Sequence, residues 1–121
     1  MADNTLRDEL LSKAACLPTL TRYNEPGGTV AAEAPFSQTP VIASDTGCFT
    51  EVIEEGVTGF TGGCMAEWVE KAGQLGDLDS DAMLKHAHDN FSAEALYPKY
   101  RSFWKRIDGY YENGMDINFT Y

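Results

Sequence analysis

Positive charge is scarce in this sequence. Lys and Arg number nine against nineteen Asp and Glu, giving a net charge of −10. Phosphate-backbone binding rests on clustered Lys and Arg, so this balance argues against a nucleic-acid ligand. A phosphate-bearing small molecule would have to be held by amide dipoles or a few local cations, against an unfavourable overall field. Four of the nine cations (Lys99, Arg101, Lys105 and Arg106) fall in one late segment, which leaves the first half poorly supplied. Long apolar runs are missing too. None approaches the roughly 20 residues that span a bilayer, and Met1-Ala-Asp-Asn4 carries no signal-peptide pattern. No transmembrane segment and a cytoplasmic location are therefore expected. Cysteine is sparse: Cys16, Cys48 and Cys64 are far apart and form no C-x-x-C, so the spacing suggests neither a zinc knuckle nor a redox pair and fits reduced thiols.

What is present reads as alternating helices and strands. The 121 residues allow one domain with a modest core. Leu6, Leu10, Leu11 and Ala14 at helical spacing after Asn4-Thr5 predict a helix near 5–14. Ala15 to Leu20 is a short apolar run fit for a strand, although Pro18 removes a ladder donor. Glu25-Pro-Gly-Gly28 is a turn opening a helix from Thr29, and Pro35 makes that helix short or kinked. Pro40-Val-Ile-Ala-Ser44 is the clearest strand. A brief helix over Phe49–Ile53, turn chemistry over 54–59 and a very short strand at Phe60-Thr61 follow. A helix near 65–75 places Met65, Trp68, Val69 and Ala72 on one face. Asp79-Ser80 caps another near 81–90 with Met83, Ala87 and Phe91 in register. A last, aromatic-rich helix starts at Ser92-Ala-Glu-Ala95, starts late or kinks at Pro98, and runs to about Ile107. The tail 109–121 has no clear period. The alternation implies an α/β fold with parallel strands, and two or three short strands make an unusually small parallel sheet.

Chemistry concentrates in Glu25-Pro-Gly-Gly-Thr-Val-Ala-Ala-Glu33 and Pro40-Val-Ile-Ala-Ser-Asp45-Thr-Gly47. Carboxylates accept hydrogen bonds from sugar hydroxyls, and helix-opening amides attract phosphate. One stretch thus offers receptors for both halves of a nucleotide-sugar. Other features read as structural. Asp45 and Glu51 organise the turn after the strand, and Asp77-Leu-Asp79 joins two helices and supplies a cap rather than a metal site. His86 and His88, two apart on a helix, diverge by about 200° and cannot readily share a metal. No metal and no cofactor are expected. Trp104 with Tyr100 and Phe103 reads either as an aromatic binding platform or as a face that packs on something else.

In order and spacing, several segments together resemble the nucleotide-sugar-binding C-terminal domain of GT-B retaining glycosyltransferases (group 1, family 4). They are Pro18-Thr19, Glu25-Pro-Gly-Gly-x4-Glu33-Ala34, Thr39-Pro40-Val-Ile-Ala-Ser-Asp45-x-Gly47-x-Phe49-x-Glu51, Gly56-Val-Thr-Gly59-Phe60 and Asn90-Phe91-Ser92. The resemblance covers roughly 5–107. It implies a partial Rossmann-like donor-binding domain over 1–108, followed by an irregular tail over 109–121. It also implies a nucleotide-diphosphate sugar as ligand and transfer of the sugar to an acceptor. Glu25 would take the catalytic position on donor hydroxyls, Glu33 would accept from the ribose diol, and the Gly27, Gly28 and Thr29 stretch would face sugar and diphosphate.

The sequence departs from the family pattern at Ala34-Pro-Phe-Ser-Gln38, where a small-residue run ending in glycine is usual. Cys48 stands where many members have a second glycine, and Gly27 where a phenylalanine is common. The family's diphosphate-stabilising arginine and lysine, its base-contacting strand and its acceptor domain lie upstream of the matched region and have no counterpart here. Activity of the chain alone is therefore not expected, and a second polypeptide supplying the N-terminal domain is the implied partner. The alternative is a non-catalytic remnant or split domain acting as a nucleotide-sugar binder or assembly partner.

Overall fold

The computed structural model describes residues 4–113. At its centre is a three-stranded parallel sheet of β1 (Leu17–Thr19), β2 (Val41–Ser44) and β3 (Gly59–Gly62), in the order β1-β2-β3. Leu17 pairs with Val41 and Val41 with Gly59, so the strands start level and their carboxyl ends form one edge. Central β2 is buried along its whole length, as expected of a parallel strand covered on both faces. Pro18 lies in β1, an edge strand, where its missing N–H costs no ladder bond on the open side.

Helices flank this sheet: α1 (Asn4–Lys13), α2 (Thr29–Glu33), α3 (Phe49–Val52), α4 (Met65–Ala72), α5 (Ser80–Phe91) and α6 (Ala93–Asn113). The α/β expectation with a small parallel sheet, that of a partial Rossmann-like unit, is borne out. Helix α2 passes directly into a 3-10 turn over Ala34–Ser37 with Pro35 among its first residues, which is why it is only five residues long. On one side of the sheet Leu11, Ala31, Ala34, Val41, Ala43, Phe49 and Ile53 pack into one cluster. The α1 face expected from Leu6, Leu10 and Ala14 is not buried; Leu11 alone enters the core. The Leu11 carbonyl instead accepts a hydrogen bond from Thr39 Oγ1 at 2.5 Å, tying α1 to the entry of β2.

Helix α5 is capped as expected, with the Asp79 carboxylate accepting from the amides of Asp81 (2.9 Å) and Ala82 (3.2 Å). It buries Met83 and Ala87. Helix α4 differs from expectation. It ends at Ala72, and Met65 and Val69 are exposed. Trp68 anchors it, donating from Nε1 to the carbonyls of Gly62 (2.7 Å) and Ala43 (3.1 Å). The sheet is too narrow for the rest of that helical face. Helix α6 starts at Ala93, with Ser92 Oγ accepting from the Ala95 amide at 3.1 Å, and continues through Pro98 to Asn113, six residues beyond the expected Ile107. Residues 109–113 of the expected irregular tail are therefore helical, and 114–121 lie outside the described residues. Tyr97, Tyr100, Phe103 and Trp104 of α6 are exposed. No helix among the described residues is long and apolar enough to cross a membrane.

Candidate functional site

The site grows from the carboxyl end of β1. Four residues beyond Thr19 the chain reaches Tyr23, turns at Glu25–Gly28, and enters α2 at Thr29. This segment encloses a cavity of about 270 Å³ lined by Thr19, Thr21, Tyr23, Glu25, Gly28 and Thr29, with Val30, Ala31 and Phe49 as the apolar wall. Ligands of open α/β sheets bind outside the carboxyl ends of strands, and this cavity has that position.

Glu25 is the most constrained carboxylate here. Its Oε2 accepts from the Tyr23 hydroxyl at 2.5 Å, and its Oε1 faces the amides of Gly28 (3.4 Å) and Gly27 (3.5 Å). The Tyr23 hydroxyl, followed by the Gly28 and Gly27 amides, holds the Glu25 carboxyl below the usual carboxylate range, and the same hydrogen bond pushes the Tyr23 phenol up. Tyr23 was not among the residues singled out from sequence. It lies only two positions before Glu25, in the irregular segment between β1 and α2, so no strand or helix period marked it.

The second glycine turn belongs to the same site. The Cys48 amide donates to the Glu25 carbonyl at 2.9 Å. Gly47 sits at φ +62, and a Cβ there would lie 2.6 Å from the Glu25 main-chain nitrogen and oxygen. Gly28, at φ +48, opens α2, and a Cβ on it would meet Cys48 Sγ at 2.6 Å. Both positions need glycine for conformation and for space. Cys48, where the family pattern often has glycine, thus packs against the Gly28 backbone. Burial, then the Glu25 charge, pushes its thiol pKa up, which keeps it protonated and unreactive.

Glu25, Gly28 and Thr29 therefore share one cavity; Gly27 does not line it, and its amide faces Glu25 Oε1. Glu33 does not line it. Glu33 lies one turn along α2 from Thr29, and its Oε2 pairs with Arg7 Nη1 of α1 at 3.1 Å. Arg7 also contacts Asp8. Asp45 and Glu51 stand in the turn after β2 and in α3, and neither carboxylate accepts a described hydrogen bond. His86 and His88 pack against separate rings, Phe91 and Phe36. Among the described residues no cluster of three or more metal-ligating side chains occurs.

Comparison with known proteins points to one family. A D-inositol 3-phosphate glycosyltransferase from Nocardia farcinica is 40% identical over 70 residues, which are 55% of this chain and 16% of that protein. The chain thus aligns with a small part of this curated relative. A sequence-family model described as glycosyl transferases, group 1, matches residues 3–75, from α1 through β3 and α4 and including both glycine turns. That match covers more than half of the sequence, and the chain belongs to the group 1 glycosyl transferases.

Proposed function

We propose that this chain is the donor-binding part of a GT-B glycosyltransferase, taking a nucleotide-diphosphate sugar in the Glu25 cavity. The donor-binding unit would be 1–108, with 109–121 as an appendage. The observation that carries the reading is the Glu25 carboxylate at the strand edge, held by the Tyr23 hydroxyl beside the Gly27–Gly28 amides and the start of α2. A carboxylate that Tyr23 fixes in place is ready to accept from sugar hydroxyls. The amides turn from Glu25 toward a developing phosphate charge at no cost in strong bonds, because both contacts are long, at 3.4 and 3.5 Å. Thr29 supplies a hydroxyl at the same rim. Glu33 takes the ribose diol one turn further along α2, with Arg7 holding its carboxylate until the diol arrives.

The chemistry derived from these residues is orientation of the donor and electrostatic support of the departing phosphate. The acceptor side is supplied by another polypeptide segment. The exposed aromatic face of α6 (Tyr97, Tyr100, Phe103, Trp104) supports such a covering partner. A cytoplasmic location accompanies this proposal.

Calorimetric titration of the chain with a panel of nucleotide-sugars tests it. At least one should bind in the millimolar range or tighter, and Glu33→Ala should weaken it about tenfold, the scale of a hydrogen bond to a charged group. Unchanged affinity in Glu33→Ala removes the ribose assignment, and silence across the panel removes the donor reading.

A further inference from the structure

Two helices of this chain leave apolar stripes uncovered, and the charges around them are opposite. On α6, Tyr97, Tyr100, Phe103 and Trp104 recur at helical spacing and are 47–64% exposed. At about 100° per residue, Lys99 and Arg106 border that stripe on one side and Arg101 and Lys105 on the other. No acidic residue lies between 95 and 107. The side chains of Lys99, Arg101 and Lys105 make no described hydrogen bond or ion pair, and Arg106 meets only the Phe103 ring, 6.0 Å from its centroid. On α4, Met65 and Val69 stand one turn apart and are 65% and 66% exposed. Residues 64–82 carry five carboxylates, on Glu67, Glu70, Asp77, Asp79 and Asp81, and one cation, Lys71. Lys71 is already engaged with Glu55 and the Thr61 carbonyl, and none of the five carboxylates forms a described ion pair. Within one chain the stripes stay apart: α4 packs on β2 and β3, and α6 on α5.

An aromatic stripe bordered by cations fits a partner that is apolar at its centre and acidic at its rim. The α4 segment has that character, and methionine against aromatic rings is a favourable contact. We propose that the chain forms a two-fold dimer in which α6 of each copy lies on α4 of the other. The aromatic stripe then covers Met65 and Val69, and the four cations face the carboxylates of 67–81. Two-fold symmetry makes the contact reciprocal, so each copy uses both of its stripes. With about 200 Å² per aromatic side chain, the four aromatics and the α4 stripe together would bury about 1,300 Å² over the dimer, inside the roughly 1,200–2,000 Å² of specific interfaces. An acceptor-side polypeptide covering α6 would compete with this dimer, since both use the same stripe. None of Glu25, Gly27, Gly28, Thr29 and Glu33 takes part, so dimerisation and donor binding succeed or fail separately.

Sedimentation velocity of the 121-residue chain, over about 1 to 500 μM and at about 50 and 500 mM salt, tests the dimer. Dimers should form with micromolar affinity at the lower salt and weaken at least about fivefold at the higher. Trp104→Ala, at an exposed position, should weaken them about tenfold. Charge reversal at exposed positions of either helix region, Lys99→Glu with Lys105→Glu or Glu70→Lys with Asp77→Lys, should weaken self-association by at least about tenfold. An equimolar mixture of the two reversed chains should associate more tightly than either alone, because the mixed dimer sets introduced Glu against introduced Lys and keeps one native contact. A chain that stays monomeric at every concentration would overturn the proposal. So would dimers that ignore salt or the α4 reversal, or a mixture no tighter than its components.

Discussion

At the scale of single residues, Tyr23 and Glu25 are the most tightly coupled pair of the proposed site. Their 2.5 Å hydrogen bond needs a neutral phenol and an ionised carboxyl. The signs follow from the two shifts. The Glu25 carboxyl is lowered, so the contact is present above the ordinary carboxylate range and is lost as pH falls through the lowered value. The Tyr23 phenol is raised, so the contact persists below the ordinary tyrosine range and is lost as pH rises through the raised value. Tyr23→Phe should therefore return the Glu25 carboxyl toward its ordinary value, as read by carboxyl-carbon NMR titration. An unmoved titration would mean that the Gly28 and Gly27 amides alone hold it. Glu25 and its glycines were legible in the sequence because they are local: a turn and a helix start separated by a few residues. The Glu33–Arg7 pair was not, since it depends on how α1 packs against α2, and nothing in the spacing of residues 7 and 33 encodes that.

Among the elements, the passage from α2 through the 3-10 turn into β2 is where this chain leaves its family's pattern most clearly. Gln38 ends that turn at φ 57, a left-handed conformation, in the place where the family run ends in glycine. A non-glycine residue there carries strain of about 1–2 kcal/mol, partly offset by the lower entropy that glutamine has in the unfolded chain. Its side chain repays little, since its contacts to the Ser80 carbonyl and the Asp81 carboxylate are both 3.4 Å. Gln38→Gly should stabilise the chain by about 0.5–1 kcal/mol, seen as a rise of a few degrees in Tm. A loss of stability would show that those long contacts matter more than the strain. Strand β2 and helix α5 were readable because each announces itself locally, by Pro40 before β-branched residues and by the Asp79 cap. Helix α4 misled because Met65, Trp68 and Val69 share a helical face, whereas only Trp68 finds sheet to rest on. The end of α6 was misplaced because Pro98 and Gly109 are poor helix residues in isolation, yet the helix passes both.

Charge dominates at the scale of the whole molecule. Among the described residues no cation lines the Glu25 cavity, and the chain carries −10 overall. On the proposed donor reading, a nucleotide-sugar diphosphate would meet local amide dipoles within a repulsive field. Raising salt from about 20 to 200 mM shortens the screening length to about 7 Å and should leave donor affinity level or improve it by up to about twofold. A fall of fivefold or more over that range would reveal a cation contact that this account does not contain. The α/β class and the parallel sheet were legible at this scale from alternation alone. The exposed face of α6 was anticipated only as one of two readings, because sequence does not say what a helix lacks for cover.

The most direct test of the central claim is residue-resolved. In amide NMR spectra of the chain titrated with the tightest nucleotide-sugar of the panel, the largest shifts should fall on Gly27, Gly28 and Thr29, and Glu25→Gln should abolish the sugar-dependent part of them. Shifts confined to the α6 aromatic face, or a pattern unchanged in Glu25→Gln, would contradict donor recognition at this site.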